Sequence, residues 1–88
     1  MEELIENINK IKSTELGIIR IKNNLELLTD NVIDWCKNEI NNAEKIIKKG
    51  KNWYLYKNNI TIIINSNSYT IITAHKVNER NISKIIQI

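Results

Sequence analysis

The sequence predicts an α+β fold: about three N-terminal helices packed on a three- to four-stranded antiparallel meander. Three observations carry that prediction. Apolar residues recur at helical spacing from Leu4 to Ile40. From Lys45 onward the pattern changes to short runs rich in β-branched and aromatic residues. Those runs are joined by short polar turns, which leave room only for antiparallel neighbours.

The first helix is expected over about 2–12, where Leu4, Ile5, Ile8 and Ile11 recur at helical spacing and Glu2, Glu3 and Glu6 lie at the positive end of the helix dipole. Ser13 and Thr14 interrupt it. Thr14 can cap a second helix, TELGIIRIKNNL, running to about Asn24, with Ile18, Ile21 and Leu25 on one side. Gly17 near its start weakens that helix relative to Ala. A third helix is expected over about 30–42, with Thr29 as N-cap, Asp30 in the first turn and Leu28 stapled against Ile33. Its apolar face, Val32, Trp35, Cys36 and Ile40, should cover a sheet. Trp35 and Cys36 are read there as core, since a lone Cys on an apolar helix face behaves as a small hydrophobe.

Lys45-Ile46-Ile47-Lys48 can form a short edge strand, followed by a turn at 49–52 in which Gly50 supplies a positive φ. Three further strands are expected: WYLY (53–56), ITIIIN (60–65) and YTIITAHK (69–76), with turns at 57–59 and 66–68. Alternation in the last places Tyr69, Ile71, Thr73 and His75 on one side and Thr70, Ile72, Ala74 and Lys76 on the other. Ile72 and Ala74 suit packing under the helices, which would turn Thr73 and His75 to the open face; the opposite choice puts Ile71 inward. The tail from Val77 fits a short helix or an alternating strand equally well.

At 88 residues the chain is expected to form one domain, 1–88. Its charge is polarised. Residues 1–44, the helical part, hold nine acids and five bases (net −4), whereas 45–88, the sheet and tail, hold one acid and eight bases (net +7). Such a surface steers a polyanion toward one side. One cysteine and one histidine leave no intramolecular disulfide and none of the usual Cys/His zinc spacings, so neither metal nor other cofactor is expected. The acidic start MEELIENINK is unlike a secretory signal, and no apolar run approaches a membrane span, so a cytoplasmic protein is expected. The abundance of Ile, Asn and Lys is read as compositional bias rather than recognition chemistry.

The segments TELGIIRIKNNL, VIDWCK, GKNWY and SYTIITAHK resemble those of a family of small uncharacterised bacterial and mobile-element proteins, over roughly residues 13–76. That family implies no function. The order of elements also resembles, at the level of topology with TAHK as a local echo, the barnase, EndoU, colicin and RelE-like ribonucleases. That resemblance implies an exposed sheet face that cleaves RNA.

Cleavage without metal needs a base, an acid and cations around the phosphate as the 2′-hydroxyl attacks. His75 is the side chain whose ordinary pKa suits proton transfer near neutrality. Tyr69 and Thr73, on its face, could orient substrate. Lys76 could join them only across a bulge or strand end, leaving Lys48, Lys51 and Arg20 as other phosphate clamps. Tyr54 or Trp53 could stack on a base. The plain readings stand beside these: His75 as a hydrogen-bonded surface residue, Trp53 as core, Arg20 in a salt bridge, and the run Lys45, Lys48, Lys49 and Lys51 as a solvated edge that discourages strand addition.

Three functions remain open: a small ribonuclease or toxin acting through His75; a binding protein without chemistry, either an RNA binder or an inhibitor of a nucleic-acid-handling complex; and a module that forms a homodimer. The partners expected are accordingly RNA or a nucleoprotein complex, or a cognate protein, with the chain a monomer or homodimer.

Overall fold

The computed structural model describes residues 2–77; the alternatives for the tail fall outside them, except for Val77. Helix α1 (Glu2–Glu6), a 3-10 turn (Ile8–Lys10), α2 (Glu15–Leu25) and α3 (Val32–Asn41) precede strands β1 (Lys45–Lys49), β2 (Asn52–Lys57), β3 (Ile60–Asn65) and β4 (Ile71–Lys76). The four strands form one antiparallel sheet in sequence order. The α+β arrangement is therefore as the hydrophobic periods predict.

The first helix is shorter than expected. The Asn7 amide donates to the Glu3 carbonyl at 2.8 Å, supplying the local side-chain alternative that weakens helix interiors. Ile11 then turns extended (φ −59°, ψ 129°), because Lys12 pairs in parallel with the start of β4: its N–H donates to the Tyr69 carbonyl and its carbonyl accepts from Ile71 N–H. Satisfying that strand edge displaces another helical turn.

Helix α2 begins as its sequence predicts, the Thr14 hydroxyl accepting from Gly17 N–H at 3.0 Å. It ends on Glu26 in the left-handed region (φ 54°), with Leu27 N–H donating to the Lys22 carbonyl, a Schellman closure without glycine. Helix α3 starts two residues later than expected, with Asn31 at the cap. The Thr29 hydroxyl instead accepts from Asn31 N–H, and the Asn31 amide donates to Asp34. Leu28 is fully exposed, so no staple to Ile33 forms; it is Leu27 that packs on the core. The buried stripe of α3 is Val32, Cys36 and Ile40, with Trp35 half-buried beside it.

That stripe, with Leu4, Ile11, Ile21 and Leu25, packs with Trp53, Leu55, Ile62, Ile64, Ile71 and Ala74 from one face of the sheet. Positive φ at Gly50 (62°) and Asn58 (53°) makes the first two turns, and the Asn65 carboxamide oxygen, accepting from the N–H groups of Asn67 and Ser68, shapes the third. Strict alternation fails in β4. Ile63 lies opposite Thr73 but Ile64 opposite Ile71, so Ile72 is an extra residue, a β-bulge. The inward residues are Ile71 and Ala74, while Ile72, expected inside, is 53% exposed. Thr73 and His75 share the other face, opposite Ile63 and Thr61.

Candidate nucleic-acid interface

The face turned away from the helices is built from cross-strand rows, set by the register of the three hairpins. One row runs Lys45, Tyr56, Thr61, His75; the next runs Ile47, Tyr54, Ile63, Thr73; a third holds Lys49, Asn52 and Asn65. Neighbouring strands are about 4.8 Å apart and residues i and i+2 about 7 Å apart. Tyr54 and Tyr56 thus stand side by side, half-buried, one strand in from Lys45 and Lys49. A pair of amphipathic rings beside two exposed cations can hold bases by stacking and their phosphates by charge.

His75 is half-buried at the far end of its row. Its cross-strand neighbour Thr61 is 95% buried by residue, and its hydroxyl has no hydrogen-bond partner among the described residues. Lys45 is three strand spacings from His75, about 14 Å between backbones, which places the two at opposite edges of the four described strands.

The expected catalytic cluster is only half assembled. Thr73 and His75 share a face, but Tyr69 is not beside them. It lies outside the strand at φ 58°, is 92% buried in the core, and carries Lys10 over its ring at 5.6 Å. The bulge and this left-handed residue break the alternation on which its placement rested. Lys76 is on the opposite side, as its position relative to His75 implies, and its ammonium is tied to Glu26 at 2.7 Å. This contact holds the Glu26 carboxyl below its ordinary range.

The other cations divide by face. Lys48 pairs with Trp53 on the helix side and sits over its ring at 5.3 Å, which removes it from the Lys45 and Lys49 row positions. Lys51 is in the turn, where its carbonyl accepts from both the N–H and the hydroxyl of Ser66. Of the six described lysines in the basic half, Lys57 and Lys76 pair with acids of the helical half, Glu39 and Glu26. Lys45, Lys48, Lys49 and Lys51 make no ion pair with described residues, so the uncompensated charge collects on β1 and its turn. Arg20, on α2, is exposed, and with Thr73 it lines a cavity of about 280 Å³ between α2 and β4.

Burial pushes the Cys36 thiol up to about 12, with nearby Glu39 adding to the effect, so no thiolate is available near neutrality. Thr61 belongs to the face although no sequence motif singles it out; its signal is the register, since counting back from Asn58-Asn59 pairs it with Tyr56. No helix among the described residues is long and apolar enough to cross a membrane.

A family profile described as "Protein of unknown function (DUF3781)" matches residues 5–75, which span every helix and strand except the outer ends of α1 and β4. No curated protein and no solved structure matches the chain.

Proposed function

The chain belongs to the DUF3781 family, whose description assigns no activity, and from that premise we propose that it binds single-stranded RNA on the sheet face turned away from α1, α2 and α3, without cleaving it. The observation that carries this reading is the register that sets Tyr54 and Tyr56 beside Lys45 and Lys49 on one face. Aromatic pairs hold bases without regard to sequence, and lysines on the adjoining edge supply the salt-sensitive part of the affinity. Against cleavage stands the placing of His75 among the described residues: Tyr69 is in the core, Lys76 is held by Glu26, and Thr61 and Thr73 are the polar residues beside it on the face. A lone imidazole supplies one of the three functions the reaction needs.

The test is a titration of labelled oligouridine at several salt concentrations. Neutralising both lysines in Lys45→Gln/Lys49→Gln should reduce the slope of log affinity against log salt by about 1.4, the value for two single-strand phosphates, while Lys48→Gln, on the other side, leaves it unchanged. Tyr54→Ala should weaken binding by about tenfold. Binding indifferent to salt and to both lysines refutes the reading. The same RNA should be recovered intact after incubation; degradation that disappears in a folded His75→Ala variant would establish the ribonuclease alternative instead.

A further inference from the structure

We propose that the groove between α2 and β4 docks an acidic, apolar peptide segment of a protein partner, with one leucine-like side chain entering the groove and a neighbouring carboxylate meeting Arg20. The groove is lined by Leu16, Arg20, Asn24, Thr70, Ile72 and Thr73 among others, and encloses about 280 Å³. That is just below the range of pockets that bury a drug-sized ligand, about 300 Å³ upward, and suits a single side chain.

Its walls set accessible aliphatic side chains, Leu16 and Ile72, beside the polar Asn24, Thr70 and Thr73. Leu16 is 57% exposed, and Ile72 is turned outward because the bulge adds one residue to β4 at that point. Bulges commonly re-aim a side chain in this way beside binding sites. Ile19, one turn beyond Leu16, extends the apolar surface along α2. The floor is held in place: the Asn24 amide donates to the Ala74 carbonyl at 3.2 Å, tying helix to strand.

Charge selects the occupant. Arg20 is the one charged residue lining the groove, and it makes no ion pair with any acid among the described residues. A guanidinium beside exposed aliphatic side chains is complementary to a carboxylate adjoining an aliphatic side chain. A nucleotide fits less well, because the lining contains no aromatic ring to stack on a base. The groove is separate from the Tyr54 and Tyr56 pair, so this proposal does not depend on RNA binding.

The probe is the blocked dipeptide acetyl-Leu-Glu-amide, with acetyl-Leu-Gln-amide as its neutral counterpart, titrated into the ¹⁵N-labelled protein and followed by amide chemical shifts. The charged peptide should give saturable shifts at Gly17, Thr70 and Thr73, with affinity at least about fivefold above that of the neutral one. Arg20→Gln should erase that difference while its own spectrum shows it folded, and Ile72→Ser should weaken both peptides. Equal binding of the two peptides, or no saturable shift from either, overturns the proposal.

Discussion

Thr61 shows how a single residue can be anomalous in energy and informative in position. Its hydroxyl is buried, unpartnered among the described residues, and placed between Tyr56 and His75. An orphaned buried hydroxyl costs about 1–3 kcal/mol, whereas removing it with little change of shape is neutral or stabilising. Thr61→Val is therefore expected to raise stability by about 1 kcal/mol in urea denaturation; a loss instead would mean that the hydroxyl is satisfied in solution. The neighbouring residues show how far the site was legible. That Thr73 and His75 lie on a face apart from Lys76 follows from a period of two, which depends only on backbone pleat. Tyr69 obeys no such count, because a left-handed φ and a bulge intervene, and neither leaves a mark in a stretch as β-like as SYTIITAHK.

Among the elements, α2 keeps closest to its expected bounds although Gly17, an unfavourable helix residue, lies near its start. Gly17 has an ordinary helical backbone, so conformational freedom does not account for it. A Cβ there would overlap the Ser13 hydroxyl and come within 3.0 Å of the capping Thr14 hydroxyl. Gly17→Ala should therefore fail to yield the roughly 1 kcal/mol that helix propensity offers. In a Ser13→Ala background the same substitution should recover part of it, as thermal denaturation of the four proteins would show. The ends of α1 and α3 differ from expectation for a related reason: side chains near a helix end have several local partners. Thr29 and Asn31 both qualify as caps, and only the packing of Leu27 rather than Leu28 decides where the chain turns. The first helix yields to a tertiary bond pair, since Lys12 is drawn into register with Tyr69 and Ile71 across more than fifty residues.

For the whole molecule, acid from one half neutralises base from the other. Glu26–Lys76 and Glu39–Lys57 join the helical layer to the sheet, and the Glu26 carboxyl is held below its usual range. Because the folded state lowers that pKa, the pair stabilises the fold above the ordinary carboxylate value of 4.5 and is lost as pH falls through the folded value. Melting temperature measured from about pH 6 down to pH 3 should thus decline less steeply in Glu26→Gln than in the wild type. Both pairs also shape the surface on which function is proposed, since they remove Lys57 and Lys76 from the uncompensated charge and leave it along β1.

The class of fold, the succession of helices and hairpins, the core stripe of α3 and the polarity of the two halves were all legible in the sequence. These depend on local periods, turn chemistry and composition, all of which act within a few residues. Tertiary structure decided the bulge at Ile72, the burial of Tyr69, the separation of Lys48 from Lys45 and Lys49, and the groove beside Arg20. Each of these depends on which strand edge or helix face is presented from elsewhere in the chain. That information resides in packing, where one extra residue in a strand reverses every side chain beyond it.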